Sequence, residues 1–129
     1  MFEQLEYIYM PSPDVARDVS WFTDVLGARL IFAIESMRTR VAMLELTDSP
    51  PKILLAGHLE GDRPVLVFRV DNLAGACAEL QKRGWTGGHS LEIPQGPVQT
   101  FSAPGGQRLA IFELTRPGVE AGFVGRRDF

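Results

Sequence analysis

At 129 residues the chain fits one domain, long enough to bury most of its apolar surface unaided. It is 45% hydrophobic and 22% charged, with a net charge of −3 and scattered basic residues. That argues against the clustered Lys/Arg footprint a nucleic acid needs, and no apolar run approaches the length of a membrane span. One cysteine excludes an internal disulfide, and with no signal segment read the expected location is the cytoplasm.

The first strand-like run is Leu5 to Met10. Ser12-Pro13-Asp14 then reads as a helix start, with a capping side chain, a proline in the first turn and an acid near the positive dipole end. Val15, Val19, Phe22 and Leu26 make an apolar stripe at helical spacing over Asp14 to Leu26, and Gly27 is placed to end it. Ala28 to Glu35 and Thr39 to Leu46 are β-like, and after Ser49-Pro50-Pro51 a short strand follows from Lys52 to Ala56. Gly57 to Pro64 is polar and turn-rich. Val65 to Val70 is the next strand, and Asp71 is expected to cap a helix over Asn72 to Arg83. The face of that helix is Leu73, Ala76, Cys77 and Leu80, and Gly84 ends it. Cys77 therefore reads as a small buried residue rather than a nucleophile, since no basic neighbour in sequence would lower its pKa. Strands follow around His89 to Ile93, Val98 to Ala103 and Arg108 to Leu114. The last two are joined by the hairpin turn Ala103-Pro104-Gly105-Gly106-Gln107.

The chain is thus written twice. Displaced by 58 positions, the distance from Tyr7 to Val65, Val15 falls on Leu73, Val19 on Cys77 and Phe22 on Leu80. Each copy reads β-α-β-β-β, and the expected class is α+β, two tandem βαβββ units in one domain over 1–129. Unit one covers about 4–57, a connector about 58–63, unit two about 64–114, and a tail 115–129. The tail, with Pro117, Gly118, Gly122 and Gly125, departs from the repeat and has no position assigned by the sequence.

Two stretches carry a family resemblance. Leu5-Glu6-Tyr7 through Trp21-Phe22-Thr23-Asp24-Val25-Leu26-Gly27 resembles the opening of the vicinal oxygen chelate superfamily, which holds glyoxalases, bleomycin-resistance proteins and extradiol dioxygenases. Phe101 through Glu113 resembles the closing hairpin of that superfamily, with Gly105 and Gln107 where its members usually carry Asp and Asn. The resemblance implies that each unit curls its strands into half of a cup, with the helices outside. Metal-dependent members typically supply one ligand from the first and one from the last strand of each unit. The resemblance puts those positions at Tyr7, Leu55, Val65 and Glu113, and Leu55 and Glu113 are themselves 58 apart. Glu113 alone is a good divalent-metal ligand, whereas a catalytic metal site takes about three. No metal or other cofactor is therefore expected, a divalent ion being the disfavoured alternative.

Strand alternation from Tyr7 gives an expected cup wall of Tyr7, Tyr9, Ile53, Leu55, Val65, Val67, Ile111 and Glu113, an apolar and aromatic lining with one carboxylate and two phenols. Glu113 has three available roles: a carboxylate satisfied by Tyr7 or an arginine, a ligand contact, or a general base raised by apolar walls, with Tyr7 or Tyr9 as acid. Arg38 and Arg40 alternate along one strand as solvated residues or anion contacts. Trp21 and Trp85 read as packing residues. His58 and His89 read as exposed or rim residues, with His89 the better placed for function because it starts a strand of the second unit.

Three functions stay open at this point. One is metal-independent binding of an apolar or aromatic small molecule in a homodimer, as in the drug-sequestering antibiotic-resistance proteins. The second is a lyase, isomerase or dioxygenase, either metal-dependent through non-standard ligands or metal-free through Glu113. The third is an interaction role with the cup filled by side chains.

Overall fold

In the computed structural model, which describes residues 1–129, ten main elements run β1 (Phe2–Pro11), α1 (Val15–Asp24), β2 (Arg29–Ser36), β3 (Thr39–Glu45), β4 (Lys52–Ala56), β5 (Val65–Val70), α2 (Leu73–Lys82), β6 (His89–Ile93), β7 (Gly96–Ser102) and β8 (Arg108–Glu113). The strands form one eight-stranded sheet in the order β2-β3-β4-β1-β5-β8-β7-β6. Reading outward from the β1–β5 junction, each half repeats the same order, so the duplication in the sequence is a duplication in space. Within each half the first and last strands pair in parallel, β1 with β4 and β5 with β8. The halves meet through the antiparallel β1–β5 pair.

Each helix covers the sheet face away from the cup. Val15 and Val19 of α1 pack on Ala33, Ala42, Leu44, Ile53 and Leu55, while Ala76 of α2 packs on Val70 and Ile111. Cys77 lies partly buried beside that second cluster, and burial pushes its thiol pKa up, which suits a packing residue. The N-terminal caps differ from the expected ones by one or two residues. Asp14, not Ser12, accepts the Arg17 amide, and the buried Ser12 hydroxyl instead donates to Asp18 at 2.6 Å. Asn72 accepts the Gly75 amide at 2.6 Å, while Asp71 accepts only the amide of Asn72. In both cases the cap is the residue directly preceding the first helical turn, whose side chain reaches an unpaired N–H. Leu26 lies beyond the end of α1 and is exposed, and Trp21 is 51% exposed rather than packed. Trp85 does pack, edge-on to Phe101.

Arg38 does not continue a strand. Met37 and Arg38 form a two-residue turn between Ser36 and Thr39, both with positive φ. The tail is ordered onto the first unit. A short 3-10 turn, Glu120–Gly122, leads Phe123 onto Phe32 at a 5.7 Å ring separation, and Gly125 to Asp128 then hydrogen-bond along the outer edge of β2. The amide of Ala33 donates to the Arg126 carbonyl, that of Asp128 to the Ala33 carbonyl, and that of Glu35 to the Asp128 carboxylate. The sheet edge that β2 would expose is therefore paired within the chain.

Candidate functional site in the cup

The concave face holds a cavity of about 450 Å³ lined by fifteen residues, ten of them hydrophobic. Most come from unit one: Tyr7 and Tyr9 on β1, Phe32 and Ile34 on β2, Val41 and Met43 on β3, and Leu54 on β4. Unit two gives Val67 and the β6–β7 turn, Ile93-Pro94-Gln95, and the tail closes the space with Phe123 and Arg126. A wider groove outside α1, between Asp14, Arg17, Trp21 and Asp24, is open and mostly polar, so it lacks the enclosure of a ligand pocket.

Tyr7, Tyr9 and Val67 stand where the sequence places them, on the cavity wall, and Val65 packs in the core beneath it. Ile53, Leu55, Ile111 and Glu113 do not. The parallel register puts Tyr7 beside Lys52 and Tyr9 beside Leu54, so Leu54 faces the cup while Ile53 and Leu55 face α1. On β8, Ala110 is level with Val67, which turns Ala110 and Phe112 inward and Ile111 toward α2. Glu113 follows Ile111 to the helix side. Its carboxylate accepts the Leu73 amide at 2.8 Å, satisfying an unpaired N–H at the positive end of α2. A general-base role in the cup is thereby closed to it.

Two polar groups replace it. At the cup floor the hydroxyl of Tyr7, a side chain only 3% exposed, donates to Glu120 at 2.8 Å, and Lys52 holds the other Glu120 oxygen at 2.6 Å. The Gln95 amide approaches the same phenol at 3.4 Å. Burial first, then the Glu120 charge, pushes the Tyr7 pKa well above its ordinary value, so the phenol stays protonated. On the wall, the Tyr9 hydroxyl lies 2.8 Å from His58 Nε2, and His58 Nδ1 lies 3.2 Å from the Thr39 hydroxyl. His58, not His89, is thus the histidine at the site, since His89 starts β6 on the exposed edge of the sheet. Arg40 turns its guanidinium over the Phe129 ring at 4.6 Å, and Arg126 pairs with Asp128 at 2.9 Å.

Phe123, Arg126, Glu120 and Gln95 carried no signal in the sequence, because no motif or repeat reaches the tail and Gln95 sits in an unremarked turn. Lys52 and Leu54 were within reach had the phase of β4 been known. With the observed phase, the cup-facing residues nearest the four positions given by the resemblance are Tyr7, Leu54, Val65 and Phe112. One phenol and three hydrocarbon side chains do not suit a divalent cation, and no three His, Cys, Asp or Glu side chains converge anywhere in the chain.

The fold agrees with the comparisons. The family model described as Glyoxalase/Bleomycin resistance protein/Dioxygenase superfamily matches residues 4–111. The chain belongs to that superfamily. Among solved structures, methylmalonyl-CoA epimerase from Mycobacterium tuberculosis superposes with a TM-score of 0.69 at 19% identity, over 88% of this chain and 89% of that one. A Streptomyces coelicolor methylmalonyl-CoA epimerase in complex with 2-nitronate-propionyl-CoA gives 0.70 at 13% identity, over 90% and 97%. A catechol 2,3-dioxygenase gives 0.63 at 15% identity, over 84% of this chain but 40% of its own. At these identities the likeness is one of fold. The sequence matches none of the curated proteins with which it was compared. No helix is long and apolar enough to cross a membrane.

Proposed function

We propose that this superfamily member binds a small apolar or aromatic molecule in the cup, without a divalent metal at the family's usual position. The observation that carries the reading is the concave cavity of about 450 Å³, whose lining residues are two-thirds hydrophobic and whose polar groups are few. Its lining includes no carboxylate, which disfavours a cationic ligand, and Arg126 is its one permanently charged side chain. The cavity also speaks against a purely structural role, since side chains leave the cup open rather than filling it.

A homodimer in the cytoplasm completes this reading, the first to be checked by light scattering at several concentrations. The ligand site is tested by thermal-shift screening with neutral and anionic aromatic compounds, alongside Leu54→Trp, which adds an indole inside the cavity. Compounds should raise the melting temperature of the wild type and not of the variant. If purified protein carries stoichiometric Zn, Ni, Mn or Fe that Tyr7→Phe releases, the metal-free reading is wrong.

A further inference from the structure

We propose that Tyr9, His58 and Thr39 form a proton relay in the cup wall, which binds an aromatic ligand through an acidic hydroxyl and takes its proton. The proposal rests on the pocket reading above and names the ligand chemistry that this pocket selects.

Three separate elements bring the three side chains together. Tyr9 comes from β1, Thr39 opens β3, and His58 sits in the turn after β4. That turn is fixed by the Gly57 amide donating to the Arg40 carbonyl at 3.0 Å. The hydrogen bonds run Tyr9 to His58 to Thr39 at 2.8 and 3.2 Å, with the tyrosine and imidazole rings edge to face at 6.3 Å. Tyr9 and His58 both line the cavity, and His58 is an exposed residue. Thr39 can accept from Nδ1–H or donate to an unprotonated Nδ1, so the chain conducts in either direction.

With Nδ1 protonated, Nε2 accepts the Tyr9 proton and the phenol oxygen turns a lone pair toward the cavity. A ligand hydroxyl donating to that lone pair completes the relay. The ligand O–H bond breaks as a new Tyr9 O–H forms, and the original Tyr9 O–H breaks as Nε2–H forms. The products are a ligand oxyanion and an imidazolium, with no change of oxidation state. Burial raises the Tyr9 pKa, so the phenol passes a proton on instead of holding charge itself. The Nδ1 proton then passes to the part-exposed Thr39 hydroxyl as that hydroxyl releases its own proton to solvent, which leaves His58 neutral.

The charged groups around the relay favour that direction. Arg126 of the tail lines the same cavity, and no carboxylate does. Arg40 of β3 is turned away over Phe129, and Tyr7, on the same strand as Tyr9, is committed to Glu120. Arg126 is paired with Asp128 at 2.9 Å, so an oxyanion beside Tyr9 is balanced first by the imidazolium, while a cation meets no carboxylate on the cavity lining.

The probe is 4-nitrophenol, with 4-nitroanisole as the analogue that lacks the proton, binding being followed by calorimetry and by absorbance. Wild-type protein should bind the phenol about tenfold more tightly than the ether. It should also show the phenolate band at a pH where the free phenol is protonated, the bound phenol's pKa falling by about one unit. Tyr9→Phe should remove both effects. His58→Gln, which keeps a hydrogen-bonding side chain but cannot take a proton, should retain part of the affinity and lose the band. Equal binding of phenol and ether without a phenolate band would overturn the relay and leave the pocket standing. If neither compound binds to folded wild-type protein, the pocket reading falls and the relay with it.

Discussion

The β2–β3 and β6–β7 hairpins occupy corresponding places in the two units, and they have been put to different uses. Both join their strands by two residues, Met37-Arg38 in the first and Pro94-Gln95 in the second. In the first unit the strands form the cavity wall, and the turn projects into solvent, with Met37 95% exposed. In the second unit the strands leave the cavity except at Ile93, the end of β6, and the turn enters it. Gln95 there reaches Tyr7, while its carbonyl holds the amides of Thr115 and Arg116 at the start of the tail. The tail then crosses to the first unit and pairs with the edge of β2, while the edge of β6 stays open. A duplicated fold has thus yielded one cavity, built by one half and closed by the turn of the other.

The largest test of that division is a pair of substitutions, one on β2 and one on β6. Phe32 is 6% exposed and touches Phe123 across the cavity, whereas Ser90 is exposed on β6. Phe32→Ala should cost about 3–5 kcal/mol in urea unfolding. Ser90→Ala should stay within about 0.5 kcal/mol. Comparable losses at both sites would mean that the second hairpin carries a buried face after all.

Tyr7 and its equivalent Val65 offer a second contrast, read through pH. Burial and Glu120 raise the Tyr7 pKa above its ordinary value near 10. Above pH 10 the unfolded chain loses the Tyr7 proton while the folded chain keeps it, so folding binds the extra proton. The stability from this residue is complete below pH 10 and declines above it by about 1.4 kcal/mol per pH unit. Tyr9, also raised by burial, adds a decline of the same sign. Tyr7→Phe should lose about 1 kcal/mol at neutral pH with its hydrogen bond and flatten the alkaline slope by one proton. An unchanged slope would show that the phenol is already ionised, or wetted, in the folded state.

How the cup was legible in the sequence follows from the same strands. Tyr7, Tyr9 and Val67 could be placed because β1 and β5 have a tyrosine or valine rhythm to follow. Lys52-Ile53-Leu54-Leu55-Ala56 and Leu109-Ala110-Ile111-Phe112 are apolar on both faces, as strands covered on both sides are, so they contain no alternation from which to choose a phase. The repeat could not correct the error. Leu55 and Glu113 are 58 apart, but so are Leu54 and Phe112, and a one-residue slip in both copies preserves every internal match. The β1–β4 and β5–β8 registers decide it. The tail lay outside any repeat, and its contacts with Tyr7, Phe32 and β2 are long-range ones that no local pattern encodes.

The smallest expected effect returns to the hairpin turns. Met37 and Arg38 have φ of 51° and 64°, the left-handed pair that a two-residue hairpin wants and that side chains with a Cβ resist. The other hairpin instead follows its turn with Gly96, where a Cβ would meet the Glu113 carbonyl at 2.1 Å. Replacing Met37-Arg38 by Asn-Gly supplies the favoured residues without touching the cavity lining, so stability should rise by about 1 kcal/mol. Binding of 4-nitrophenol should be unchanged, because Thr39 keeps its pairing with Ser36. A gain in stability accompanied by weaker binding would mean that the strained turn sets the position of Thr39 against His58, and the first hairpin's exposed tip would then belong to the site as fully as the inward-turned tip of the second.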